Sequence, residues 1–250
     1  STRTAVNNDL NEAQALDQLM DILRQSIADK DEIHANSQYI NAEPNKQQDF
    51  DTALQNAENI IAGTNNPTIN KGDVSQATQA VDNAKQALDG VQRLEEDKQN
   101  AGTSLNQFDH LTPAQQQALE NAINNASTRD EVAQKLAEAQ ALNNAMQALK
   151  DSIQDHAQVE ASSKFINEDP TQKGAYTDAV NNALDIINND SNPTLDKSAI
   201  EQATQAVNNA KDNLHGDQKL ADDKQHANET LNQLNNLNTC LLYTSDAADE

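Results

Sequence analysis

Apolar residues recur along the chain at helical spacing. Leu16, Met20, Leu23 and Ile27 fall on one helical face, and Phe50, Ala53, Leu54, Ala57, Ile60 and Ile61 on another. Val74, Ala77, Val81, Ala84 and Leu88 form a third. Steps of three and four residues place side chains on one side of a helix, with polar residues opposite. No stretch of useful length alternates apolar and polar residues as a half-buried strand does. The pattern predicts helices over about 5–35, 46–62, 73–107, 113–125, 128–161, 172–188 and 197–236. Thr112-Pro113-Ala114-Gln115 and Thr128-Arg129-Asp130-Glu131 each read as a capping box, with Pro113 suited to a first helical turn. Asn66-Pro67 should end the second helix, because proline disfavours helix in the residue before it.

The three faces return 126 residues later as Leu142 to Ile153, Tyr176 to Ile187 and Ile200 to Leu214. Residues 1–113 align with 127–239 without a gap, and 50 of the 113 positions are identical. That is enough to make the chain a tandem repeat, an architecture that builds length and valency more readily than one active site. Four of the five prolines pair across the copies, Pro44 with Pro170 and Pro67 with Pro193, and Gly90 pairs with Gly216 as a possible kink or helix end. Two helices bury their apolar faces poorly, so the economical unit is three. One bundle would use 10–35, 46–62 and 73–90, and the next 91–108, 113–125 and 128–140. The expected fold is all-α: tandem three-helix bundles joined by long shared helices into an elongated rod. The segment 128–161 alone would span roughly 50 Å as a helix.

Composition narrows the partners. Lys and Arg number 17 against 40 Asp and Glu, a net charge of −23. That argues against nucleic acid and against anionic membrane surfaces, both of which need basic clusters. Hydrophobic residues make up only 36%, which would suit a disordered chain, but their periodic placement argues for helices. No run approaches the roughly 20 apolar residues of a membrane span. Residues 1–239 contain no cysteine, so neither disulfides nor cysteine metal sites are expected there. Ser1 falls inside the repeat's pattern, and the chain is expected to be a piece of a longer one.

Candidate chemistry is sparse. The histidines are His34, His110, His156, His215 and His226, and none faces a histidine in the other copy. They are expected on the solvated surface. Asn188-Asn189-Asp190-Ser191-Asn192 superficially resembles a calcium loop, but it lacks the central glycine and has no counterpart at 62–66. Paired carboxylates such as Glu95-Glu96 and Asp222-Asp223 are adjacent on a helix and cannot aim at one target. No catalytic, metal or cofactor residue is assigned, and the chain is not expected to be an enzyme. Tyr39 with Phe165, and Phe50 with Tyr176, are four of only six aromatics and read as core anchors.

The landmarks Tyr39-Ile40-Asn41…Pro44, Asn66-Pro67-Thr68 and Gln76-Ala77-Thr78-Gln79-Ala80-Val81…Gly90, with their second copies, resemble a FIVAR module. Leu105-Asn106, Leu111-Thr112-Pro113 and Val132-Ala133…Leu136 resemble a GA module. Their alternation is similar to the repeats of giant staphylococcal extracellular matrix-binding surface proteins. The resemblance divides the chain as follows: 1–9 the end of a preceding GA-like module, 10–90 FIVAR-like, 91–141 GA-like, 142–216 FIVAR-like, 217–239 a truncated GA-like module. Residues 240–250, which hold the only cysteine, Cys240, break the repeat and read as a sequencing-adapter artefact. The resemblance implies an extracellular, cell-wall-associated adhesin segment with weak, multivalent binding to a host matrix protein such as fibronectin. Serum albumin, a cell-wall glycan, or no ligand at all (a spacer) are the alternatives.

Overall fold

The computed structural model describes residues 2–63 and 67–234, and every regular element among them is a helix. The tail 240–250 and the last residues of the 217–239 segment lie outside the described residues. The chain divides into two compact units, Ser1–Gln107 with Leu119–Ala137, and Phe108–Ala118 with Glu138–Glu250.

In the first unit, α1 (Arg3–Ser26), α4 (Pro44–Ala62) and α5 (Lys71–Ala87) pack as a three-helix bundle. Short helices α2 (Lys30–Ala35) and α3 (Ser37–Ile40) carry the chain from α1 to α4. The core is Leu23, Ile33, Phe50, Leu54, Ala57, Val74, Ala77, Val81 and Leu88, with Leu16, Met20, Ile27 and Tyr39 packed against it. These are the stripes read from the sequence. Pro44 sits in the first turn of α4, where its missing N–H is not needed. Helix α6 (Gly90–Leu105), the end of α7 (Pro113–Asn124) and the start of α8 (Arg129–Ile153) complete this unit. They bury Ala101, Leu105, Leu119, Ile123 and Val132.

The second unit repeats the scheme. The later turns of α8 bury Leu142, Met146, Leu149 and Ile153. Helices α9 (His156–Glu160) and α10 (Ser163–Ile166) lead to α11 (Pro170–Asn188) and α12 (Lys197–Asp212), which bury Tyr176, Val180, Ala183, Ile200, Ala203 and Val207. Helix α13 (Gly216–Asn232) follows.

Both capping boxes form. The Thr112 N–H donates to Gln115 Oε1 at 2.9 Å and the Gln115 N–H to Thr112 Oγ1 at 3.2 Å. The Glu131 N–H donates to Thr128 Oγ1 at 3.1 Å, and Glu131 Oε2 accepts from the Thr128 and Ser127 N–H groups. These bonds satisfy donors that a helix start otherwise leaves bare.

Four expected helices are shorter than their periodicity suggests. The helices expected over 5–35 and 128–161 stop at Ser26 and Ile153. Both stops carry Ser-Ile-x-Asp, as Ser26-Ile27-Ala28-Asp29 and Ser152-Ile153-Gln154-Asp155. The serine hydroxyl bonds back to the Leu23 or Leu149 carbonyl, which competes with the helical ladder. The aspartate is tied by Lys85 or Lys211 of the third bundle helix. The helices expected over 73–107 and 197–236 break before Gly90 and Gly216. There Leu88 and Leu214 turn into the core, 6% and 1% exposed.

The aromatic anchors are confirmed, with one exchange between copies. Phe50 and Tyr176 are fully buried, and each meets its partner, Tyr39 or Phe165, edge-on at 6.0 Å. The hydroxyl sits on the outer ring in the first copy, where Tyr39 Oη donates to Asp51 at 2.8 Å. In the second copy it sits on the inner ring. The buried Tyr176 hydroxyl has no hydrogen-bond partner among the described residues. Burial, with the negative charges of Asp155 and Glu160, pushes its pKa up to about 12, so it stays neutral. Tyr176→Phe is therefore expected to stabilise the protein by about 1 kcal/mol, a rise of about 3 °C in thermal midpoint. A lowered midpoint would mean that the hydroxyl has a partner.

Candidate interaction surface and module junction

Among the described residues no group of three or more His, Cys, Asp or Glu side chains could hold a metal ion. No helix among them is long and apolar enough to cross a membrane. His215 and His226 are exposed, as expected of a solvated surface, while His34, His110 and His156 are half-buried. His34 Nδ1 lies 2.8 Å from the Lys30 carbonyl and Nε2 2.8 Å from Asp51, and its ring meets Tyr39 at 4.5 Å. Its repeat partner is Glu160 and that of Asp51 is Thr177, so nothing here forms a chemical centre common to both copies. The His156 and His215 rings bond nearby carbonyls, while the His110 N–H donates to Asn143 Oδ1 and the His110 carbonyl accepts from Lys150.

A groove of about 790 Å³ in the first unit runs between the end of α5 and α6 and is lined by Gln38, Leu88, Val91, Gln92, Glu95 and Gln99 among others. A second, of about 540 Å³, lies between the α3–α4 turn and the start of α8. Neither is lined by an aromatic side chain. Both are open to solvent, unlike the pockets that enclose small ligands.

The organised chemistry lies where α6 and α8 meet the α3–α4 turn. Gly90 begins α6 against the backbone of α3. A Cβ there would stand 2.3 Å from the Ser37 carbonyl oxygen and 2.5 Å from that of Gln38. At Gly216 the corresponding distances are 2.4 Å to the Lys164 oxygen and 2.8 Å to that of Ser163. Only glycine lets the two backbones approach so closely.

A carboxylate locks this seat in both copies, but from different positions. In the first, Asp89 accepts from the Glu43 N–H at 3.2 Å, from Lys46 at 2.7 Å and from Arg93 at 3.4 Å. Burial alone would raise the Asp89 carboxyl, yet these hydrogen bonds hold it below its ordinary value. In the second copy, position 89 becomes His215 and position 42, an alanine, becomes Glu168. The Glu168 carboxylate accepts from Lys219, the His215 N–H and the Asp169 N–H, which bring it down to about 2. The acid has moved across the contact while the contact remains.

A pH dependence follows. The folded pKa of Glu168 lies below its unfolded value near 4.5. Its contribution is therefore complete above about pH 4.5 and is lost as pH falls toward about 2. Glu168→Gln is expected to lower the thermal midpoint at pH 7 and to leave it nearly unchanged at pH 2. Equal losses at both values would rule out a charge effect.

Around the first seat, Asn41 is 2% exposed. It accepts from the Arg129 N–H at 2.9 Å and donates to the Ser127 carbonyl at 3.1 Å. The Arg129 guanidinium reaches Asp97 at 2.7 Å and Glu43 at 3.5 Å. Within the second unit Gln115, fully buried, donates to the Thr194 carbonyl at 2.8 Å. The sequence marks Gln115 as a cap but not its reach, places Asn41 in a landmark and Arg129 in a capping box without their tertiary partners, and gives no signal for Asp89 or Glu168.

Comparison with known proteins agrees with this architecture. The FIVAR domain model matches residues 19–89 and 145–215, and the GA module model residues 91–145 and 217–239. Over 82% of its length the chain is 73% identical to the Extracellular matrix-binding protein EbhA of Staphylococcus aureus (strain Newman), spanning 6% of that relative. It is 70% identical over the same share to the Extracellular matrix-binding protein ebh of Staphylococcus aureus (strain MRSA252), spanning 2% of it. A crystal structure of an EbhA segment from Staphylococcus aureus superposes with a TM-score of 0.81 at 32% identity, covering 88% of each chain. With FIVAR matches over more than half of its residues and GA matches between and after them, the chain belongs to the FIVAR domain family, its FIVAR domains alternating with GA modules.

Proposed function

We propose that this chain is a non-enzymatic repeat segment of a bacterial cell-surface adhesin. Its modules would contact a host extracellular matrix protein weakly, many copies adding through effective concentration, and the array would serve as an extended envelope scaffold. The observation that carries the reading is the 73% identity to a protein named for matrix binding. The tandem repeat supports it, because valency is what repetition supplies. The lack of an aromatic-lined pocket in the two grooves of the first unit favours a protein ligand over a sugar ring. The proposed division into modules is 10–90, 91–141, 142–216 and 217–239.

The resemblance in sequence makes fibronectin the first ligand to test. The immobilised chain, incubated with plasma at physiological salt, is expected to enrich fibronectin or another matrix protein over a charge-matched control. Enrichment of albumin instead would point to a GA-type activity. Nothing above the control would make this segment a spacer and overturn the adhesive reading.

A further inference from the structure

The contact between α6, α8 and the α3–α4 turn has two layers of different physical character. The inner layer is the glycine seat with its carboxylate. It is present in both copies, and the carboxylate is buried or nearly so, with Glu168 4% exposed. The outer layer joins the start of α8 to the same turn at Asn41 and Arg129. Asn167, the counterpart of Asn41, is half-buried, and its Nδ2 donates to the Ser163 hydroxyl at 2.9 Å as Asn41 Nδ2 does to the Ser37 hydroxyl.

Within the outer layer the bonds differ again. The Asn41 amide is dry, whereas the side chains of Arg129, Asp97 and Glu43 are 32%, 31% and 31% exposed. Charges exposed by a third are screened by salt, while a buried amide is not. The charges are also locally balanced: Lys46, Arg93 and Arg129 face Glu43, Asp89 and Asp97. That balance uses three of only 17 basic residues in a chain of net charge −23.

We propose that Arg129, bridging Asp97 of α6 and Glu43 of the α3–α4 turn, is a salt-releasable latch that holds the start of α8 on the FIVAR bundle, with Asn41 as its salt-insensitive clasp. The glycine seat fixes where α6 begins. The latch sets how firmly α8 stays down. Releasing it loosens the junction and leaves the bundle core of α1, α4 and α5 intact. This inference does not depend on which ligand the chain binds.

The test is hydrogen exchange on the full chain at low salt and at about 1 M NaCl, where the screening length falls to about 3 Å. The reporting segments are 37–48 and 127–137, read relative to amides in the middle of α4 and α5. Arg129→Gln is expected to speed exchange in both reporting segments by ~10-fold at low salt, with the α4 and α5 amides unmoved. Salt at 1 M is expected to do the same to the wild type and to add less than ~2-fold to Arg129→Gln. Asn41→Ala should expose the Arg129 amide itself at either salt. Lys197→Gln, which breaks the exposed Lys197–Glu201 pair of α12, is the control and should change neither segment. The latch is overturned if Arg129→Gln and salt leave 37–48 and 127–137 at wild-type rates. It is also overturned if α4 and α5 exchange faster by the same factor, because Arg129 would then support overall stability and not a separable junction.

Discussion

Gly90→Ala is expected to destabilise the protein by about 3 kcal/mol, while Gly102→Ala, twelve residues along the same helix, stabilises it by about 0.5 kcal/mol. Neither glycine has the positive φ that would forbid a side chain, so propensity alone predicts a gain at both. The surroundings decide the sign. A Cβ at Gly102 meets nothing within 4 Å. At Gly90 it would collide with two carbonyl oxygens and the Ala42 nitrogen, all backbone atoms that cannot swing aside. Helix α6 would have to lift off α3, and the Asp89 carboxylate would lose the Glu43 N–H with it. Urea unfolding followed by circular dichroism measures both variants. Gly90→Ala within about 0.5 kcal/mol of wild type would mean that this helix start has room to move.

Phe50→Ala is expected to cost about 4 kcal/mol, the largest effect of any single truncation in the first bundle. Phe50 is fully buried among Leu23, Leu54, Val74 and Val81, and its ring supports Tyr39 at 6.0 Å and His34 at 5.4 Å. Removing it leaves a cavity and also frees the α2–α3 segment, whose Tyr39 and His34 are pinned to Asp51 one residue away. Phe50→Leu keeps most of the volume and should cost about 1.5 kcal/mol. Equal losses for the two variants would mean that the edge-on aromatic contacts, and not filled volume, dominate. Because Phe50 and Gly90 lie in one compact unit, the first unfolding transition should move while that of the second unit stays in place.

Much of this fold was legible because helical periodicity is a local signal. The stripes Leu16 to Ile27, Phe50 to Ile61 and Val74 to Leu88 supply the core or pack against it, and both capping boxes form as their spacing implies. The helix breaks at Ser26 and Ser152 were not legible. No Gly or Pro marks them, and the tie that fixes the following aspartate comes from Lys85 or Lys211, 56 residues away. The burial of Asn41 and Gln115 was hidden by composition: in a chain rich in Asn and Gln, nothing distinguishes a buried amide from the many solvated ones. Arg129 was hidden because its place after Thr128 in a capping box already accounted for it. The movement of one carboxylate from Asp89 to Glu168 shows why comparing copies position by position misses a contact that both preserve.

Binding the chain to fibronectin films of graded density separates weak contacts made effective by number from one tight site. The monovalent affinity is expected to be no tighter than about 10 μM, and retention to rise more than ~10-fold when the chain is clustered at high surface density. One tight affinity, unchanged at every density, would contradict it and make a single module a specific receptor. No retention at any density would contradict the adhesive reading altogether.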